Sequence, residues 1–279
     1  MLTGSVAWLL EDCLPEDRRM GRLFDLLNND DVPYELDKLL DADKVHNRAA
    51  RAAFTAFLSL SERETRPSVL ASTQQHLRLF DSELIRRLTD KTSFDLDALI
   101  AGKPMSLYII VPPARLSSYK PLLRSWLSGL LFALTTRRTL PEHRTLLLCD
   151  EIASLGRMDA FLMAATLMRG WGLTLWSFWQ NPAQLELYGD QARTIVDNAG
   201  VVQLFGARNR RMAGEFAALV GGVDADEILT MAPDQQLLLI EGGHPRICRR
   251  IRYFEDPLFA GLYDPNPLFP AGADGWKER

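Results

Sequence analysis

The chain has 279 residues, 47% of them hydrophobic and 24% charged, with a formal net charge of −4 and a pI of about 5.7. That is an ordinary globular composition with room for a sizeable core, in one large domain or two smaller ones. The acidic balance excludes a free-standing DNA-binding protein that works through an overall basic field, though not a local basic lining.

Residues 1–100 read as an all-helical subdomain. Apolar positions recur at helical spacing in Val6-Ala7-Leu9-Leu10, in Leu23-Phe24-Leu26-Leu27 and in Leu36-Leu39-Leu40. Ala49 to Leu60 is a further helix, and after Pro67-Ser68 the period resumes over Val69 to Phe80 and Leu84 to Leu88. The start carries no basic region before its apolar residues and meets Glu11 and Asp12 at once, so it is not a secretory signal.

From Lys103 the pattern changes. Met105 to Val111 is a short apolar run of strand-forming residues ended by Pro112-Pro113, which cannot continue a sheet ladder. A long helix follows, from about Leu116 to Arg137. Its most apolar part, Pro121 to Leu134, contains Arg124 and falls short of the roughly 20 residues of a membrane span, so it reads as a core helix. Leu146 to Cys149 is the next strand, followed by a helix near Asp159 to Arg169 and a strand from Leu173 to Trp179. A short helix near Gln191 to Asn198, a strand Val201 to Phe205 and a helix Arg211 to Val220 come next. Strands Leu237 to Ile240 and Ile247 to Tyr253 complete the set. Apolar strands alternating with helices predict an α/β fold with a mostly parallel sheet covered on both faces, over residues 101–255. Residues 256–279, rich in Pro and Gly, form an irregular tail.

The residues with chemical potential cluster at strand ends. Leu146-Leu147-Leu148-Cys149 runs into Asp150-Glu151, the pattern of a Walker B strand. A buried strand in an α/β sheet delivers its carboxyl-end side chains to the crevice where ligands bind. There Asp150 can hold Mg²⁺ and Glu151 can orient or deprotonate an attacking water; alternatively, Asp150 caps the following turn. Gln180, leaving the next strand before Asn181-Pro182, can contact a γ-phosphate and the lytic water, or be a polar residue at a strand–loop junction. Arg169, in Arg169-Gly170-Trp171-Gly172, is either a helix-end charge or an arginine finger for a neighbouring subunit; spacing alone favours the former.

Other features are plainer. Cys149 reads as a buried, inert thiol, and Cys13, Cys149 and Cys248 suit a reducing compartment better than a disulfide scaffold. The four histidines show no pair at metal-ligand spacing. Arg208, Arg210 and Arg211 are a local basic cluster that a solvated helix start explains equally well. No Gly-Lys-Ser or Gly-Lys-Thr occurs; the one Gly-Lys, Gly102-Lys103, precedes Pro104, which lacks the N–H that a phosphate cradle needs.

These residues, taken in order, resemble the type IV coupling proteins of conjugation and type IV secretion, the TraG/TraD-type ATPases. The carriers are Phe94-Asp95-Leu96-Asp97 with Gly102-Lys103-Pro104, Tyr108 to Pro113, Leu147 to Glu151 with Leu155-Gly156, and Arg169 to Gly172. Gln180 to Leu185, Ile195 to Gly200, Phe205-Gly206, Ile251 to Asp256 and Asp264 to Pro267 complete the series. The similarity spans nearly the whole chain and is strongest from about Ser68 to Pro267.

The resemblance implies a RecA-like P-loop ATPase fold after an all-α subdomain that recognises DNA or relaxosome proteins. It implies Asp150 and Glu151 as the Walker B pair, with Asp150 on ATP-bound Mg²⁺, Gln180 as sensor and Arg169 as arginine finger in trans. It further implies a hexameric ring at the cytoplasmic face of the bacterial inner membrane, with single-stranded DNA, relaxase and secretion-channel proteins as partners. Relative to that family the sequence looks like a C-terminal portion without the transmembrane helices and Walker A loop. The expectation is therefore weak ATP binding by this chain alone and dependence on an N-terminal half. The alternative is a non-hydrolysing remnant or adaptor that binds relaxosome or effector proteins.

Overall fold

The computed structural model describes residues 1–241 and 243–264, and within it the chain divides into two compact units, Met1–Thr145 and Leu146–Arg279. The part of the expected tail from 265 to 279 lies outside the described residues.

The first unit is built of helices, apart from its loops and its last residue, Thr145, which begins a strand. Its helices are α1 (Leu2–Glu11), α2 (Met20–Leu27), α3 (Val32–Asp41), α4 (Arg48–Leu58), α5 (Thr65–Leu77), α6 (Glu83–Thr89), α7 (Leu96–Ile100) and α8 (Leu116–Thr135). Side chains start three of them: Asp31 accepts from the Tyr34 N–H, Asn47 from Ala50 and Asp95 from Ala98, each satisfying a donor with no partner inside the helix. Trp8, Leu23, Leu27, Leu36, Phe54, Phe57, Leu77, Ile85 and the α8 residue Leu122 meet in one core. Each such side chain is worth about 1.5–3 kcal/mol when fully buried. Helices α1 and α4 approach closely at Gly4, where a Cβ would come within 2.2 Å of the Ala53 Cβ.

Two motifs of the sequence resolve into local mechanics here. Asp95 opens α7, and Gly102 closes it: the Lys103 N–H bonds to Ala98 O at 2.9 Å and the Gly102 N–H to Leu99 O at 3.1 Å, the paired bonds of a Schellman stop. Gly102 sits at φ 72°, and a Cβ there would meet Pro141 Cβ at 2.2 Å. Arg137, 8% exposed, completes the stop. It donates from Nε to Ile100 O (2.7 Å) and from a terminal nitrogen to Leu99 O (2.9 Å) and Thr145 Oγ1 (2.7 Å).

Met105 to Val111 does not form a strand. It has no regular secondary structure, and Tyr108 is 79% and Ile110 85% exposed. Among the described residues its backbone takes part in no ladder, because no neighbouring strand lies beside it. Helix α8 spans Leu116–Thr135 with Pro121 in its first turns, and among the described residues no helix is long and apolar enough to cross a membrane.

The second unit is α/β. Strand β1 (Thr145–Cys149) begins on the last residue of the first unit and pairs with β2 (Leu173–Ser177). The Phe178 N–H, one residue past β2, bonds to the O of Cys149, the last residue of β1, at 2.9 Å. Both strands therefore end at the same edge, as parallel strands do. The connection runs through α9 (Asp159–Thr166) and a 3-10 turn, Met168–Trp171, the crossover a parallel pair requires. One face of this small sheet packs on its own crossover; on the other, Leu146 and Leu148 are each 52% exposed. β1 is thus covered on one face only, not buried on both as its run of leucines implied.

The remaining strands pair differently. After a 3-10 segment, Pro182–Gln191, come α10 (Ala192–Asp197), β3 (Val201–Leu204), α11 (Arg210–Val220), α12 (Ala225–Leu229), β4 (Gln235–Ile240) and β5 (Arg246–Arg249). Strand β4 lies between β3 and β5 and is antiparallel to both, with Leu204 opposite Leu237 and Leu237 opposite Ile247. The short link from β4 to β5 permits only an antiparallel return. Buried Gln236 ties the three strands together, accepting from the Gln203 amide and donating to Arg249 O. Leu204, Ala213, Ile228 and Leu237 form the core beneath this sheet.

Candidate functional site

Asp150 and Glu151 occupy the turn directly after β1, both exposed, at the edge where β1 and β2 end. Gln180 leaves the same edge three residues after β2. The two strand ends meet through side chains: Gln180 Nε2 donates to Glu151 Oε2 at 2.7 Å. A second amide, which the sequence reading left without a role, completes the cluster. Gln184 Oε1 accepts from the Gln180 N–H at 2.8 Å, and its Nε2 points at Glu151 Oε1 at 3.5 Å.

Buried neighbours fix the position of this cluster. Asn181 caps the 3-10 segment through a bond from Gln184 N to its Oδ1, with Pro182 in the first turn. Leu185 and Tyr188 of the segment are buried. The Tyr188 ring lies 5.8 Å from Phe161 of α9 and 6.1 Å from Trp179, and Phe161 to Trp179 is 5.9 Å. Gln180 therefore follows directly on an aromatic anchor. The signal for Gln184 was present in Asn181-Pro182, a cap followed by an N1 proline. That pair announces a helical turn and brings the residue three further on back over its cap.

Asp150 makes no ion pair among the described residues, and no group of three or more His, Cys, Asp or Glu side chains there is arranged to hold a metal. One exposed carboxylate fits Mg²⁺ as that ion is held beside nucleotides, by one or two carboxylates with water and phosphate oxygens, rather than a closed protein cage. Cys149, just before it, has its thiol pushed up to about 11 by burial, which keeps it protonated and unreactive at neutral pH.

Arg169 is not brought to this cluster. It lies exposed on the 3-10 turn Met168–Trp171, anchored by buried Met168 and ended by Gly172 at φ 76°. Among the described residues it forms no hydrogen bond or ion pair with Asp150, Glu151 or Gln180. The arginines at the start of α11 face acids on the surface: Arg210 pairs with Asp226 at 2.7 Å and Arg211 with Glu215.

A parallel strand pair carries two carboxylates and an amide at its carboxyl edge in the α/β unit that follows the helical one, and the chain belongs to the type IV secretory system conjugative DNA transfer family. The family's model matches residues 15–223 and 222–268. The chain is similar to the conjugal transfer protein TraG of Escherichia coli, at 23% identity over 167 residues, which is 55% of this chain and 26% of TraG. Among solved structures it is similar to the plasmid coupling protein TrwB in complex with the non-hydrolysable GTP analogue GDPNP. That match has 18% identity and a TM-score of 0.65, covering 89% of this chain and 60% of the TrwB chain. TrwB in complex with ADP and Mg²⁺ matches at 16% identity and a TM-score of 0.61, over 88% and 62% of the two chains. The chain thus spans about a quarter of the length of TraG and about three fifths of the TrwB chains.

Proposed function

We propose that this chain is the portion of a conjugative coupling ATPase that carries the Walker B carboxylates and the sensor amide. The observation that carries the reading is the Gln180–Glu151 hydrogen bond at the shared carboxyl edge of β1 and β2. ATP with Mg²⁺, when bound, supplies the phosphoryl group and part of the charge neutralisation for its transfer. In this reading Asp150 holds the metal, and Glu151 orients the attacking water and accepts its proton. Gln180 offers an uncharged amide that reports on the γ-phosphate position. Arg169, exposed on its own turn, serves a neighbouring subunit's nucleotide in a hexameric ring. Residues 1–100 act as the subdomain that recognises relaxosome proteins or single-stranded DNA, and residues 101–255 form part of the nucleotide-binding domain. The assembly works at the cytoplasmic face of the inner membrane with relaxase and secretion-channel partners.

The chain has no Gly-Lys-Ser/Thr loop, so the phosphate cradle comes from a separate or preceding segment. The test supplies that segment, as a polypeptide bearing the loop, and measures ATP hydrolysis. Complemented protein hydrolyses ATP, the chain alone does not, and Glu151→Gln lowers kcat by about 100-fold or more. Hydrolysis by the chain alone, or full activity in Glu151→Gln, overturns the proposal. No hydrolysis after complementation, with relaxosome binding retained, leaves the adaptor reading.

A further inference from the structure

Gln184 uses both ends of one amide. The Gln180 backbone N–H can only donate, so the group facing it at 2.8 Å must be an oxygen. That assigns Oε1 to Gln180 and turns the NH₂ toward the Glu151 carboxylate, 3.5 Å away. The side chain is half-buried, on a segment held by the Asn181 cap and by buried Leu185 and Tyr188. No other side chain of this size satisfies both partners. Glutamate would set a carboxylate against Glu151, and leucine would satisfy neither.

We propose that Gln184 is a positioning residue whose single amide holds the Gln180 backbone and the Glu151 carboxylate in one fixed arrangement. The inference rests on the roles given to Glu151 and Gln180 above. Gln180 and Gln184 together give each Glu151 oxygen an amide facing it, and each oxygen keeps a further lone pair for water. Gln184 thereby sets the rotamer from which Glu151 meets that water and the point from which the Gln180 side chain extends. Its bonds run to the Gln180 backbone and to Glu151, so in this reading it acts through them, and its loss lowers kcat and leaves KM for ATP unchanged.

Two variants of the full chain test this. Amide hydrogen exchange on the chain alone reads the geometry: in Gln184→Leu the Gln180 amide exchanges about fivefold faster or more, whereas Gln184→Glu, which keeps an acceptor oxygen, retains protection. Equal exchange in Gln184→Leu and wild type overturns the proposal. In the loop-complemented protein both variants lose about tenfold in kcat with KM unchanged, Gln184→Glu despite its intact backbone bond. Unchanged kcat in Gln184→Leu, where Glu151→Gln is inactive, overturns the positioning role and spares the proposed function. Altered exchange with full activity in Glu151→Gln overturns the proposed function and leaves the geometry of Gln184 standing.

Discussion

Replacing Arg137 by methionine isolates the stop that ends α7. Methionine keeps most of the apolar stem and removes the guanidinium, so Leu99 O, Ile100 O and Thr145 Oγ1 lose its donated bonds. Bonds from a charged donor are each worth about 1.5–3 kcal/mol on removal, and a cation at a helix C-terminus adds about 0.3–1 kcal/mol. The simple sum overstates the loss. Burial pushes the Arg137 guanidinium down from its ordinary value, so the charge is held at a desolvation cost that methionine relieves. Water also reaches part of the freed carbonyls. The expected loss is about 2–4 kcal/mol, read as a shift of the urea midpoint by circular dichroism. The Gly102 and Lys103 amides, whose bonds form the stop, should lose exchange protection in parallel. Arg137→Lys should recover less than half, since one ammonium cannot fork to two carbonyls and a hydroxyl. A loss under about 1 kcal/mol, or full recovery with lysine, would refute this account.

Gly102→Ala places a Cβ 2.2 Å from Pro141 at a φ of 72°, and a loss of about 1–3 kcal/mol in chemical denaturation is expected, against none for an Ala at exposed Gly170. Burial raises the Cys149 thiol from 9.0 to about 11; the folded state therefore keeps its proton when the unfolded chain has lost it. Stability is unaffected below pH about 9 and falls as pH rises from about 9 to about 11, by at most about 1.4 kcal/mol per pH unit. Cys149→Ala should flatten that slope, and an unchanged slope would dispose of the assignment. The unpaired Met105 to Val111 run makes the isolated chain self-associate; light scattering should show it, with relief in Ile110→Lys. A monodisperse monomer with one cooperative melting transition would contradict this.

The α/β class and the acidic tip of β1 were legible because both are local: a run of leucines into Asp150-Glu151 needs no distant partner to be recognised. Met105 to Val111 shows the opposite case. Its residues favour extended backbone, but a strand is a ladder, and a ladder depends on a neighbour that local sequence does not specify. The antiparallel order of β3, β4 and β5 was hidden for the same reason, since strand–helix alternation before β4 looks the same whichever way β4 runs. Helix α12 escaped notice although Asp224 and Glu227 form a capping box around its first turn. Gln184 was hidden because it lies four residues past the strand-tip position of Gln180, and only the chain's return over Asn181 puts its amide on Glu151.

Among the described residues, two of the open backbone edges are defended unequally. Strand β5, at one edge of its sheet, carries exposed Arg246 and Arg249, with Arg250 beyond them stacked 4.8 Å over Phe205. Charges so placed act as gatekeepers, since a second copy's β5 adding here would crowd like charges together. The stretch from Met105 to Val111 has no charged residue at all. One edge is closed to its own copies by charge, and the other is selective only for a segment apolar enough to match it.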